Sequence, residues 1–265
     1  MKFLTRSKYY GLEYAALIPY NPPFAESRPR TCEPYYANIY YYPQLDFISS
    51  YASQKKWHRA ESRSDMVAGF VPRGNLMNIL GSLALYLATY RYVYGAGATV
   101  KFPGSEKGFK TRTIDCDQTL LARFNIFLST AKKDESNGQA WNIGDGEIST
   151  WSYRFPRIAE WFGLQGVCPS PGEDEGEKAE SWWQNIGSNS YAKMVQHFGL
   201  KERRMGDWQW TFMTACTTTF CYDRFLDLGK AKALGWDKFQ DPSAGYLRGL
   251  EEYASHSIIP KWEKE

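Results

Sequence analysis

Five tyrosines fall within eight positions (35–42) of "EPYYANIYYYPQLDF" (33–47), and a proline closes the run. Phenols are good packing groups. They also act as proton donors, or as stabilisers of a developing oxyanion when a nearby ammonium lowers their pKa. Two lysines are candidates for that ammonium. Lys55 follows Tyr51 at i, i+4 in "YASQK", so the two share one helix face. Tyr51, however, sits two turns into a helix starting at Pro43, at ~1.5 Å per residue, whereas a reacting phenol belongs near the helix start. Only twelve residues then separate it from Arg63, where the next strand is starting. The Tyr51–Lys55 pair is therefore set aside. The other lysine is Lys8 in "TRSKYYG", just past the β-like "MKFLT". If that strand and the helix start both point at the edge where α/β sheets hold ligands, Lys8 meets one of Tyr40, Tyr41 and Tyr42 there.

Other chemistries find little support. His58, His197 and His256 show no HxxxH spacing and the five cysteines form no CxxC pair, so no metal site is expected. An odd cysteine count with no secretory leader points to a reducing, cytoplasmic setting. "GAGATV" (95–100) has Val100 where a dinucleotide fingerprint needs its third glycine, and it follows a helix, so it reads as a helix C-cap. No Walker loop or GxSxG elbow is present. The net charge of +3 gives no electrostatic case for nucleic acid. The compact basic run Lys201-Glu202-Arg203-Arg204 reads as a solvated helix end. The longest apolar stretch (75–95) is broken by Asn78, Gly81, Ser82 and Arg91, so it reads as a buried helix and no membrane span is expected.

The elements that must position these residues follow from periodicity and punctuation. "MKFLT" is a short strand, and the Pro-rich segment 19–35 is an extended surface loop. Pro43 suits helix position N1 of "PQLDFISSYASQKKW", with Leu45, Ile48 and Ala52 on one face. "SDMVAGF" (64–70) reads as a buried strand, followed by a helix over 75–92 and a short strand in "TVKFPGS". Asp115 or Asp117 caps the helix of 116–132, "QAWNIG" is a strand ended by "GDG", and Thr150 caps a helix closed by Gly163. Helical patterns fill 178–198, 207–222, 223–234 and 242–256. The order implies α/β organisation with a helical C-terminal half.

Taken in order, "SKYYG", "YYYPQLDF", "RSDMVAGFVPRGNLMN", "VKFPGS", "AWNIGDGEISTW" with "IAEWFG", and "DRFLDLGKAKALGW" with "SIIP" resemble one family. It is the progesterone 5β-reductase/iridoid synthase-like branch of the extended short-chain dehydrogenases, particularly its fungal members. The resemblance covers nearly the whole chain. It implies a partial Rossmann-like fold, with residues 1–74 completing the Rossmann-like domain and 75–265 a mainly helical substrate-side region. It implies a lysine from a "KHY"-like segment, which falls on Lys8, and a reacting phenol from a "YYxxxD"-like segment, which falls on Tyr41. The "RPD"-like strand beside the nicotinamide falls on Arg63, Ser64 and Asp65, with Ser64 in place of the usual proline. The "NxMN"-like helix start falls on Asn75, Met77 and Asn78, which would border the substrate.

The implied function is NADPH-dependent reduction of an enone or carbonyl of an apolar small molecule in fungal secondary-metabolite biosynthesis. The aromatic content, 17%, suits such a substrate. The family's nucleotide-binding segment, on the order of a hundred residues with its glycine fingerprint, has no counterpart before "MKFLT". The expectation is a truncated sequence, or a protein without its cofactor half. The alternative function is then a non-catalytic remnant that binds a small molecule or a partner.

Overall fold

The computed structural model describes residues 1–55, 57–203 and 205–262, with backbone alone at 207 and 208. The order begins with β1 (Lys2–Arg6), α1 (Tyr41–Lys55), β2 (Ala60–Ser64), β3 (Val67–Ala68) and α2 (Ile79–Tyr94). Next come β4 (Thr99–Lys101), α3 (Glu106–Lys110), β5 (Cys116–Asp117), α4 (Gln118–Ser129) and β6 (Gln139–Asn142). The remainder comprises α5 (Trp151–Trp161), β7 (Gln165–Val167), α6 (Glu175–Trp182), α7 (Ser188–Phe198), α8 (Asp207–Thr214), α9 (Gly229–Ala233) and α10 (Ala244–Ser255). These elements form two compact units. One gathers Met1–Val67, Arg112–Ile148 and Tyr222–Pro242; the other gathers Ala68–Thr111, Ser149–Cys221 and the chain from Ser243 onward.

The first unit is built on a parallel sheet of order β1-β2-β6. β2 lies in the middle, with Lys2 to Arg6 paired to Ala60 to Ser64, and Ala60 to Arg63 paired to Gln139 to Asn142. Parallel neighbours need a crossover, supplied by α1 between β1 and β2 and by α4 between β2 and β6. Two apolar clusters support the sheet. Tyr9, Tyr10, Phe24, Ile39, Tyr41, Tyr42 and Leu45 pack with Ile114 and Leu226, while Phe124, Leu128 and Trp141 pack with Trp236.

Two local readings change here. The helix begins at Tyr41, two residues before Pro43. Proline is tolerated there because N–H groups of the first helical turn have no intrahelical acceptor. Of the strand expected at 64–70 only Val67–Ala68 forms one, β3, while the strand of the main sheet is "AESRS", residues 60–64, and every one of them is buried. A polar strand survives burial because its charges are matched: Arg63 Nε and Nη2 reach the two Glu61 oxygens at 2.9 and 2.8 Å. Thr5 adds a third bond to Glu61, at 2.6 Å. The stretch 223–228 is not helical; it runs extended, with Leu226 bridged to Phe24.

The second unit centres on α2, whose residues 82–89 are all buried, as the apolar stretch requires. β4 and β7 form a two-stranded parallel pair. Gly108 is obligatory in α3, since a Cβ there would lie 1.8 Å from the Thr217 carbonyl oxygen. Among the described residues no helix is long and apolar enough to cross a membrane.

Candidate active site

All three strands of the first sheet run the same way, so their C-terminal ends share one edge. The chain beyond β1 turns at once into a short 3₁₀ segment, Ser7–Tyr10, ended by Gly11 at φ +82°. Its side chains bind the neighbouring strand ends. Ser7 donates to Asp65, just past β2, and Arg224 Nε reaches the other Asp65 oxygen at 2.7 Å. Tyr10 donates to Asn142 at the end of β6 over 2.7 Å. The Arg63 guanidinium lies 3.5 Å from the Tyr9 ring centroid and bonds the Tyr10 oxygen at 3.3 Å. Burial pushes the Tyr10 phenol up to about 12, so it stays protonated and keeps donating. The Ser64 hydroxyl, at the end of β2, is buried without a hydrogen-bond partner.

The three candidate tyrosines separate cleanly. Tyr42 is committed: it is fully buried, donates to the Tyr9 carbonyl at 2.7 Å and accepts from the Thr31 N–H at 2.9 Å. Tyr40 is 46% exposed and carries Lys8 on its ring, with Nζ 4.4 Å from the centroid. Tyr41 lies beside Tyr40, ring centroids 4.5 Å apart, and its other side meets Phe3 of β1. Burial first, and then the hydrogen bond with Tyr40, holds the Tyr41 phenol well above its ordinary range. Lys8 is drawn aside by Glu13, whose carboxylate accepts from it at 2.8 Å. Lys8 therefore adjoins Tyr40 directly and comes to Tyr41 through that ring. Tyr40, one of the three tyrosines that spacing left open, is the one Lys8 meets directly; Glu13 is the participant that spacing missed, and its place five residues beyond Lys8 carried the one available hint.

Tyr51 and Lys55 do share a face, with the ammonium 5.9 Å from the ring centroid. They lie on the outer side of α1, where Tyr51 is 41% exposed and stacks on Phe47.

Asn75, Met77 and Asn78 belong to the second unit. Asn75 closes a turn, accepting from the Met77 N–H at 2.8 Å, and Met77 is 56% exposed. Asn78 caps α2. Its Oδ1 accepts from the Gly81 N–H at 3.1 Å, and its Nδ2 donates to the Gly69 carbonyl at 3.1 Å and to the Tyr253 hydroxyl at 3.0 Å. Asn75 and Asn78 line a pocket of this unit. Among the described residues no group of three or more His, Cys, Asp and Glu side chains could hold a metal ion.

A parallel sheet with helical crossovers and polar side chains gathered at its C-terminal edge defines a Rossmann-like α/β protein. The chain belongs to the PRISE-like Rossmann-fold domain family, whose profile matches residues 2–260. The ordered motifs pointed to this family. Short chain dehydrogenase ausT of Aspergillus calidoustus is 31% identical over 260 residues, covering 97% of this chain and 62% of the relative. Short chain dehydrogenase sirR of Leptosphaeria maculans is 30% identical over 275 residues, covering 100% of this chain and 68% of the relative. The chain thus spans roughly two thirds of the length of these proteins. The fold likewise matches the solved structure of MlghC, a GDP-mannoheptose C4 reductase from Campylobacter jejuni with NADP bound. That match has a TM-score of 0.56 at 14% identity and covers 96% of this chain and 67% of the other.

Proposed function

We propose that the protein is a nicotinamide-dependent short-chain reductase, NADPH-using, that acts on an enone or carbonyl of an apolar small molecule in fungal secondary metabolism. The observation that carries this reading is the grouping of an ammonium and two phenols, Lys8, Tyr40 and Tyr41, at the C-terminal edge of a parallel sheet. The fungal relatives named short chain dehydrogenases support the class.

The residues present suit the redox end of the cofactor. Ser64 offers a buried hydroxyl with no partner at the end of β2, and Arg63 fixes that strand end through Glu61, Tyr9 and Tyr10. Ser64 and Lys8 would hold the nicotinamide–ribose portion. The glycine-rich turn that would cradle a pyrophosphate is not in this sequence. When bound, the cofactor supplies a hydride. The chain's own part is to hold the substrate oxygen and move a proton. Tyr41, kept neutral by burial, is in the form that donates to a developing oxyanion. Lys8, released from Glu13, stabilises the phenolate left behind. Asn75, Met77 and Asn78 are assigned to the substrate's border.

Titration of the chain with NADPH, followed by nicotinamide fluorescence, should saturate. No change up to millimolar cofactor would end the claim that this chain works alone. With turnover in hand on an enone substrate, Tyr41→Phe should lower kcat by about 10²-fold or more while Tyr51→Phe leaves it within twofold. Equal losses from the two would remove Tyr41 from the mechanism.

A further inference from the structure

The basic run 201–204, read from sequence as a solvated helix end, has no part in the proposed reaction, and Arg204 lies outside the described residues. Arg203 does not behave as a surface charge. Half-buried, it donates from its guanidinium to the Pro72 carbonyl, and its backbone N–H donates to the Tyr191 hydroxyl at 2.7 Å. Among the described residues it has no carboxylate partner. Instead it lines the pocket of the second unit together with Asn75, Asn78, Gln209 and Tyr253.

The three side-chain amides of that pocket share one property: each oxygen already accepts a backbone N–H. The Asn75 oxygen accepts from the Met77 N–H, the Asn78 oxygen from the Gly81 N–H at 3.1 Å, and the Gln209 oxygen from the Gly206 N–H at 3.0 Å. These bonds fix which end of each amide is oxygen. The Tyr253 oxygen accepts from Asn78 at 3.0 Å, so its own proton is left to give. It reaches this position because residue 81 is glycine; a Cβ there would lie 2.9 Å from the hydroxyl. Asn78 has spent both of its amide protons, on Gly69 and Tyr253. What remains is the N–H of Asn75 and Gln209, the O–H of Tyr253, and one guanidinium without a counter-ion. The remaining side-chain walls are the apolar Val71, Leu85 and Ile258 and the Ser82 hydroxyl, which donates to the Asn78 carbonyl at 3.5 Å.

A pocket of donors around a single positive charge is suited to a monoanion. We propose that it binds the carboxylate of a mostly apolar small molecule, with Arg203 as the charged anchor and Tyr253, Asn75 and Gln209 supplying the neutral donors. One cation matches a carboxylate, whereas a phosphate dianion would be left with uncompensated charge. The claim that this carboxylic acid is the enzyme's substrate rests on the reductase reading, which already assigns Asn75 and Asn78 to the substrate. The binding claim does not.

Binding is therefore measured without cofactor, on the full chain, by isothermal titration with hexanoate, hexanamide and inorganic phosphate. Hexanoate should bind at least about tenfold more tightly than either of the others. Arg203→Met should weaken hexanoate by about tenfold or more, with Arg203→Lys intermediate because it keeps the charge and loses the fork. Hexanamide binding as well as hexanoate, phosphate binding more tightly, or a folded Arg203→Met variant with unchanged affinity would each overturn the assignment. Should Arg203→Met not fold, Arg203→Lys and the hexanoate–hexanamide contrast decide it. Hexanoate binding through Arg203 in a chain that reduces nothing would uphold this pocket and separately end the claim that this chain works alone as a reductase.

Discussion

Lys8 and the tyrosines at 40–42 illustrate how far residue types and spacing reach. A lysine after a strand and a phenol at a helix start are visible in the sequence, and the structure puts both at one sheet edge. Which of the three adjacent rings turns inward is not visible. Tyr42 goes to the core, Tyr40 to solvent and Lys8, and Tyr41 between them. Asp145 is a second group whose behaviour only the folded surroundings reveal. It is buried after β6, with Oδ1 accepting from the Asp117 N–H at 2.8 Å and from Gln240 at 3.2 Å, and Oδ2 without a partner. Burial, opposed by the Asp117 N–H and reinforced by the charges of Asp115 and Asp117, pushes its carboxyl up to about 7. A carboxyl raised on folding favours the native state while it is protonated. Its contribution is full below the unfolded value of about 4 and is lost as pH rises through about 7. Asp145→Asn, which keeps the accepting oxygen and removes the charge, should therefore stabilise the protein at pH 8 by on the order of 1–2 kcal/mol. At pH 4 it should change little. Urea denaturation of both proteins at the two pH values tests this, and an equal effect at both would refute it.

Among the elements, those with apolar periodicity were legible and those held by polar matching were not. α2 and α4 follow from Leu83, Leu87, Leu120, Phe124 and Leu128, and Asp117 does cap α4, accepting from the Leu120 N–H at 2.7 Å. β2 has no such pattern. Its middle residues Glu61, Ser62 and Arg63 look solvated, and the apolar signal of Met66 and Val67 marks the short β3 that follows it. Its burial depends on the Glu61–Arg63 pair, with side-chain exposures of 6% and 5%. Glu61→Ala should cost about 3–5 kcal/mol, because it strands a buried guanidinium. The double variant Glu61→Met with Arg63→Met should cost markedly less than the sum of the two single changes. Chemical denaturation in a double-mutant cycle reads the coupling, and additive losses would show that the pair does not hold the strand.

At the scale of the whole molecule the family and the α/β class were legible, because ordered motifs along the chain carry them. Which distant segments gather into one compact unit was not. A division after residue 74 follows the sequence from end to end, whereas each compact unit is assembled from three separated segments. Periodicity is a local signal and has no access to which distant segments return. For the first unit the returning segments are indispensable. β2 gains one of its two neighbours from β6. Asn142 of that strand accepts from Tyr10 at 2.7 Å and donates to the Phe24 carbonyl at 2.7 Å, and Phe24 also exchanges backbone bonds with Phe225 and Asp227. Asp65, buried beside β2, meets Arg224. A fragment ending at residue 74 would keep one two-stranded parallel pair and leave Asp65 without its cation and Tyr10 without its acceptor. Two parallel strands with one exposed face do not sustain a core. The fragment 1–74 should therefore be unfolded, with a collapsed amide envelope in its NMR spectrum and no cooperative melting transition. Supplying residues 112–148 and 222–242 in the same chain, with linkers in place of the second unit, should restore dispersion and a cooperative melt. A fragment 1–74 that melts cooperatively by itself would show that its core lies within those residues and not in the returning segments.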